Sequence, residues 1–354
     1  MPVEMIGWVA PQVSSEIIAP SGPTFSPDVV AETAKIHEQA DFDRVLIGYF
    51  SNAPDGFIIG AHAAAQTEQL GFLLAHRPGF VAPTLAARKL ATLDQLSGGR
   101  LAVHIISGGN DADQAKDGDH VDHAGRYRRS EEYIEVLKKT WTETKPFDHQ
   151  GEYYQIQRAY ADIRCACEPH IPVYGGGGSD SAIKTLAPHL NTFMLWGEPL
   201  ADTQDFMQRV RDAAGENPVN FSVSTRPILG RTEGEAWDRA HQILAQIEQR
   251  MGGRKKQAQN IASQRLLQAA AEKEVHDSCL YTALAEASGA PGNSTALVGT
   301  PETVAEAMVE YYKLGANTLL IRGYDPLPDA IDYGELLIPE VRKRVAAYDA
   351  ITQS

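Results

Sequence analysis

The stretch GFLLAHRPGFVAPTLAARKLATLDQLSGGRLAVHII, residues 71–106, contains one strand–helix–strand unit. It begins and ends with short runs of consecutive apolar residues, at 71–75 and 101–106, which are typical of strands covered on both faces. Between these runs leucines recur near helical spacing, and the pair Gly98-Gly99 ends the helical pattern. The stretch therefore predicts a βα repeat with parallel strands.

The same alternation extends over the whole chain. Eight short segments, most of them apolar at consecutive positions, predict strands, at 5–10, 44–49, 71–75, 101–106, 171–174, 192–196, 220–229 and 317–322. Helical patterns lie between them, and the one at 26–40 begins with Ser26-Pro27, which is typical of a helix start. Eight strands alternating with helices in 354 residues predict a (β/α)8 TIM barrel as a single domain, 1–354. A doubly wound open sheet is the alternative.

Composition and charge limit the functional class. Hydrophobic residues make up 43% of the chain, as in globular proteins, and the formal net charge of -14 argues against nucleic-acid binding but not against a small anionic ligand. The sequence shows no signal peptide or membrane-spanning run, and its three cysteines are too few for a disulfide framework, so we expect a cytoplasmic protein. Cys165 and Cys167 lack a second pair or a histidine cluster, so we expect reduced thiols and no metal site.

One region interrupts the repeat. Segment 248–297, after the seventh predicted strand, contains several glycines and the basic cluster Arg254-Lys255-Lys256, and it lacks a strong apolar run. Because barrel active sites are built from the loops at the carboxyl ends of the strands, we predict that this insertion is a mobile lid. The alternative is that the insertion is a purely structural helical segment that supports oligomerisation.

A run of four glycines, Gly175 to Gly178, follows the fifth predicted strand and precedes Ser179-Asp180, where a helix can begin. Glycine lets backbone N–H groups approach a ligand closely, and the first turn of a helix adds N–H donors and partial positive charge. With the Ser179 hydroxyl, these groups predict a site for the phosphate of a cofactor at the barrel mouth. The spacing matches neither the Rossmann nor the P-loop motif, and a tight structural turn is the alternative.

Three further residues predict a cofactor site at the same end of the barrel. Ser107 ends the fourth predicted strand, and His123 and Tyr127 follow in a loop that enters a helix. Polar and aromatic side chains at the carboxyl end of a barrel strand suit the ribityl chain or the ring of a cofactor.

Several segments together resemble the bacterial luciferase-like flavin-dependent monooxygenases, and within them the alkanesulfonate monooxygenases. The resemblance extends from about residue 40 to about residue 340, and the order and spacing of the segments make it specific. The segments are HRPGFVAPTLAARKLATLDQLSGGRLAVHIISG, DHAGRYRRSEEYIEVLKKTW, GGGGSD, LWGEP, TALVGTPETVAEAMVEYYKLG, IRGYDP and GELLIP.

The resemblance implies a TIM barrel that binds reduced FMN, supplied by a separate NAD(P)H-dependent flavin reductase. It implies that O2 adds to the flavin and that the resulting peroxide oxidises a small substrate. It places the FMN phosphate at Gly178 and Ser179 and lines the flavin with Ser107, His123 and Tyr127. It also implies a homo-oligomer, a dimer or a tetramer.

The substrate side departs from the family pattern. Ala53 replaces a cysteine, Ser224 and Arg226 replace an Arg-x-His pair, and Ala290 replaces a lid arginine, whereas Trp196 and Tyr324 are retained. A sulfonate spreads one negative charge over three oxygens and suits guanidinium groups. Arg226 lies two residues along the same strand face and is therefore expected to reach the same cavity. Arg254, Lys255 and Arg322 are further candidate cations.

These features predict a two-component FMNH2-dependent monooxygenase that cleaves the C–S bond of a small, alkanesulfonate-like organosulfur substrate and releases sulfite. The candidate catalytic residues are Arg226, Tyr324 and Trp196. A sulfone is an alternative substrate. An F420-dependent oxidoreductase on the same barrel and a flavin-binding relative without activity are the alternative functions.

Overall fold

The computed structural model describes residues 3–252, 258 and 260–352. Its strands are β1 (Glu4–Val9), β2 (Arg44–Ile47), β3 (Gly71–His76), β4 (Leu101–Ile105), β5 (Phe147–Gln150), β6 (Gln155–Ala159), β7 (Val173–Gly176), β8 (Thr192–Trp196), β9 (Asn220–Leu229), β10 (Val275–His276), β11 (Leu280–Tyr281), β12 (Ala296–Gly299) and β13 (Thr318–Ile321).

Helices follow most of these strands. They are α1 (Pro27–Gln39), α2 (Gly56–Ala64), α3 (Pro83–Leu96), α4 (Asp111–Lys116), α5 (His123–Thr142), α6 (Asp180–Leu186), α7 (Leu200–Ala214), α8 (Glu233–Met251), α9 (Ile261–Glu272), α10 (Ala283–Ser288), α11 (Pro301–Leu314), α12 (Pro326–Asp332) and α13 (Ile338–Thr352). A 3₁₀ turn, Ala187–His189, follows α6, and a π-helical turn, Tyr333–Leu337, precedes α13.

Eight parallel strands form a closed barrel in the order β9, β13, β1, β2, β3, β4, β7 and β8, and the β8–β9 pairing closes the ring. The predicted (β/α)8 TIM barrel is confirmed, and all eight predicted strands are barrel strands. One apolar core lies between the strands and the surrounding helices, and a smaller one fills the barrel interior.

The helix starts follow from local sequence. The Ser26 hydroxyl accepts a hydrogen bond from the Val29 N–H at 3.3 Å, and Pro27 occupies the first helical position of α1, as predicted. Gly98 and Gly99, with φ of +68° and +84°, end the segment after α3 in a conformation that favours glycine.

The insertion after β9 forms secondary structure of its own. It contains α9, α10 and the short antiparallel strands β10 and β11, and it ends in β12, which pairs in parallel with the carboxyl half of β9. Neither β12 nor the β5–β6 hairpin was predicted from the sequence. The basic cluster Arg254-Lys255-Lys256 lies outside the described residues, and the lid role of 248–297 stays a prediction.

Cys165 and Cys167 are half-buried free thiols, as expected. The Cys167 Sγ lies 3.0 Å from the carbonyl oxygen of Gly99, and burial, together with the nearby Asp94 carboxylate, raises the thiol pKa to about 12. In the described ranges no helix combines the length and apolar character that crossing a membrane requires.

Candidate active site at the barrel mouth

The floor of the candidate site is apolar and aromatic. Side chains alternate along each barrel strand, and Ile6, Leu46 and Leu73 belong to the set that fills the interior. Half-buried side chains cover this interior core: Trp8, Tyr49, Ile106 and Met194. Trp8, Tyr49 and Ile106 lie at or just beyond the carboxyl ends of their strands, where barrel enzymes build their active sites.

The glycine run lies at this end, as predicted. It includes the last residues of β7, and Ser179 is the N-cap of α6, its hydroxyl accepting from the Ala182 N–H at 3.2 Å. A Cβ on Gly177 would lie 2.6 Å from the Ala182 Cβ, and one on Gly178 would lie 2.8 Å from the backbone N of Ala262 in α9. Side chains are therefore excluded from the loop by packing on both sides.

Tyr127 and His123 stand beside the glycine loop. Both lie in α5, whose first turn is capped by Asp122, and their rings meet edge to face with centroids 5.1 Å apart. Tyr127 is only 7% exposed, and a Cβ on Gly177 would lie 2.7 Å from its hydroxyl oxygen. Burial raises the Tyr127 pKa, so this hydroxyl keeps its proton and can donate. The structure thus brings Tyr127, His123 and the loop together.

Ser107 lies deeper, just after β4. Its buried hydroxyl is 2.8 Å from the Ser130 hydroxyl. The Ser130 hydroxyl in turn donates to the carbonyl oxygen of Arg126 at 2.8 Å. With Ser130 donating to that carbonyl, Ser107 donates to Ser130 and retains acceptor capacity. Ser107 is therefore anchored to α5, the helix that carries Tyr127.

Arg226 points into the mouth from β9 and is fully engaged. Its guanidinium forms a bidentate pair with the Glu16 carboxylate, 3.0 Å for each N–O contact, and donates to the carbonyl oxygens of Arg322 and Gly323 at 2.7 and 2.8 Å. It also stacks 3.9 Å above the centre of the buried Tyr324 ring. The predicted catalytic residues Arg226 and Tyr324 are therefore in direct contact.

Glu16 was not predicted as part of the site. It lies in the loop after β1, where no sequence motif marks it. Burial acts to raise its pKa, but the Arg226 and Arg322 guanidiniums outweigh that effect and hold the Glu16 pKa at about 2. The mouth therefore contains a carboxylate that is ionised at neutral pH.

The other substrate-side positions lie near the insertion. Trp196 packs against the buried cluster of Leu266, Ala285 and Ala290. Asn293, also from the insertion, donates through its side-chain amide to the Ser224 hydroxyl. By contrast, Ala53 is exposed in a turn after β2.

His104 is a second residue that sequence reasoning missed. The alternation of side chains along β4 could have identified it as an inward-facing residue. Ala102 and Ile106, two positions before and after His104, belong to the barrel interior. His104 therefore faces inward, and burial lowers its pKa to about 4, so that the imidazole is neutral at neutral pH.

Comparison with known proteins identifies the family. Residues 5–318 match the family model of the luciferase-like monooxygenases. Solved structures with the same fold include EDTA monooxygenase (EmoA) from Chelativorans sp. BNC1, with a TM-score of 0.76, 18% identity, and coverage of 97% of this chain and 94% of that one.

Two other similar structures contain cofactors. Riboflavin lyase (RcaE), with modified FMN and riboflavin, has a TM-score of 0.74 and 19% identity, covering 97% of this chain and 92% of that chain. An F420-dependent secondary alcohol dehydrogenase, with an F420-acetone adduct, has a TM-score of 0.70 and 15% identity, covering 96% and 99%. The structural similarity shows the fold, and the family model, which matches most of the chain, shows that this protein belongs to the luciferase-like monooxygenase family.

Proposed function

We propose that this protein is a two-component, FMN-dependent monooxygenase that oxidises a small, alkanesulfonate-like organosulfur substrate, cleaving its C–S bond and releasing sulfite. The observation that carries the proposal is the packing of the Tyr127 hydroxyl beside Gly177, directly after β7, so close that it leaves no room for a Cβ there, in a chain of this family.

The residues of the glycine loop fit the phosphate of FMN. Any Cβ at Gly177 or Gly178 would meet protein atoms within 3 Å, so the loop is limited to bare backbone, whose N–H groups would donate to an anion. Gly178 and Ser179 would hold the phosphate, and the Tyr127 hydroxyl would donate to the same end of the cofactor. Ser107 and His123 would line the ribityl chain and the flavin.

Reduced FMN, when bound, supplies the electrons for activating O2, and a separate NAD(P)H-dependent reductase would provide it. The chain's own residues would exclude water and orient the substrate. Trp196 would form an apolar wall, the half-buried Trp8, Ile106 and Met194 would form the floor, and Arg226 would position Tyr324 through the 3.9 Å stacking contact. The insertion 248–297 would act as the lid of this single-domain barrel.

An F420-dependent oxidoreductase is the second candidate. The observation that favours it is the fold shared with the F420-dependent alcohol dehydrogenase over nearly the whole of both chains. A relationship at 15% identity concerns the fold alone, so cofactor choice must be measured.

The test is a coupled assay with purified protein, an NADH-dependent flavin reductase, FMN, O2 and 1-octanesulfonate, with sulfite as the measured product. Sulfite release that requires both FMN and O2 supports the proposal. Absence of sulfite, together with reduction of F420 by a secondary alcohol, would replace it with the second candidate.

A further inference from the structure

Three inward-facing residues lie at the same level of the barrel mouth. Leu320 pairs with both Ser224 of β9 and Ile6 of β1, and all three side chains face the barrel axis. The residues two positions later in each chain segment are Arg322 after Leu320, Arg226 after Ser224 and Trp8 after Ile6. Because side chains alternate along a strand, these three share the next inward-facing layer. The Arg322 guanidinium lies 5.3 Å from the centre of the Trp8 ring, which agrees with this register.

Arg226 has little capacity left for a ligand. Four donor contacts bind it to Glu16 and to the carbonyl oxygens of Arg322 and Gly323, and its side chain is 1% exposed. A guanidinium has five N–H donors, so a substrate anion would have to displace Glu16 to be held by the fork of Arg226. Displacing Glu16 would leave a half-buried carboxylate without its main partner, which is unfavourable.

Arg322 is in the opposite situation. Its side chain is 26% exposed, and its contact with Glu16 is a looser one at 3.6 Å. Two guanidiniums share one carboxylate here, so the group Arg226, Arg322 and Glu16 has a net charge of one positive unit. Within the described ranges, Glu16 is the one carboxylate found in an ion pair with Arg322. The unbalanced charge is therefore on the more open of the two arginines.

We propose that Arg322 contacts the anionic group of the substrate, with Arg226 and Glu16 acting as positioning residues that hold the strand end and limit the net charge. The inference rests on the proposed function and deepens it, because it selects a singly charged anion, such as a sulfonate, over a neutral sulfone. A planar guanidinium fork matches two sulfonate oxygens, and one negative charge neutralises the group.

The test is calorimetric titration of the protein with 1-octanesulfonate and with methyl octyl sulfone, an uncharged compound with the same alkyl chain. The titrations are made without flavin and, anaerobically, with reduced FMN. We expect the wild-type protein to bind the sulfonate more tightly than the sulfone. Arg322→Gln is expected to weaken sulfonate binding about 10- to 100-fold and sulfone binding less than about 3-fold. Arg322→Lys, which keeps the charge but not the fork, is expected to lie between the two.

Two further variants complete the design. Glu16→Gln adds one net positive charge to the group and is expected to tighten sulfonate binding at least about 3-fold. Arg344→Gln, on α13 and paired with Glu340, is the matched control and should stay within about 2-fold of wild type. Thermal unfolding of each variant verifies that it is folded.

No sulfonate binding by the wild-type protein, or an Arg322→Gln variant that binds the sulfonate as wild type does, would overturn the assignment. An Arg322→Gln variant that binds the sulfonate as wild type does leaves the proposed function intact. No sulfonate binding by the wild-type protein would also remove the sulfonate as the substrate, but not the FMN-dependent oxygenase activity. Failure to bind reduced FMN would count against the oxygenase proposal alone.

Discussion

Arg226 and Glu16, 210 residues apart in the chain, form a bidentate ion pair at the barrel mouth, with both N–O distances 3.0 Å. Arg226 also donates to two carbonyl oxygens that follow β13, so one side chain links β9, β13 and the loop after β1. The loop is held from its other side by Arg250 of α8, which donates to the carbonyl oxygens of Ser15 and Glu16. The pair therefore shapes this part of the rim.

Breaking the pair from one side should destabilise the fold. Arg226→Met leaves the half-buried Glu16 carboxylate without its bidentate partner, and we expect a loss of about 3 kcal/mol in the free energy of unfolding. The double variant with Glu16→Gln should lose about 2 kcal/mol less than the sum of the single losses. Urea unfolding of the four proteins measures this coupling, and strictly additive losses would show that the contact contributes nothing.

The same carboxylate should make stability depend on pH. The Glu16 pKa is about 2 in the folded protein against an ordinary 4.5, so its contribution is present above pH 4.5 and lost as the pH falls towards 2. The difference between the two pKa values corresponds to roughly 3 kcal/mol. We expect the stability difference between wild type and Glu16→Gln to be constant above about pH 5 and to shrink below pH 4.5. A difference that does not change over this range would refute the assignment.

A methyl group in the glycine loop should weaken flavin binding. Gly177→Ala places a Cβ within 2.7 Å of both the Tyr127 hydroxyl oxygen and the Ala182 Cβ, so the loop or Tyr127 must move. We expect the dissociation constant for reduced FMN to rise at least about 10-fold. Gly234→Ala in α8 is the control, because the nearest atom to its added Cβ is the Thr232 hydroxyl oxygen at 3.9 Å, an ordinary contact. Equal affinities of the two variants would exclude the loop as the phosphate site.

Truncation of Trp196 should loosen the insertion. The half-buried side chain packs against residues of α9 and α10. We expect Trp196→Ala to remove this contact and to destabilise the packing of the insertion by about 2 kcal/mol. Amide hydrogen exchange in α9 and α10 is expected to accelerate at least about 10-fold, while β2 amides keep their protection. Trp196→Phe, which retains most of the apolar surface, should show a smaller effect. Unchanged exchange in α9 would show that Trp196 does not hold the insertion.

The barrel could be predicted because its signal is local. Most of the eight inner strands are runs of consecutive apolar residues, and the segments between them are largely helical. The strand β12 carries a similar apolar run, but its pairing with β9 depends on how the insertion returns to the barrel. That path is a tertiary property, which local sequence does not specify.

The site was predictable to the extent that it follows from the barrel. Carboxyl ends of parallel strands share one edge, so the convergence of Tyr127 with the loop containing Gly177 could be expected. The contact of Glu16 with Arg226 could not, because it depends on the path of an irregular loop. Sequence reasoning therefore identified Arg226 as an inward-facing residue but not the carboxylate that occupies its donors.

The most direct test of the oxygenase proposal is an anaerobic titration of the purified protein with reduced FMN, followed by rapid mixing with oxygenated buffer. The proposal predicts tighter binding of reduced than of oxidised FMN, and then a transient absorbance distinct from both flavin states. Equal affinity for the two redox states, with flavin oxidation that shows no transient species, would contradict it.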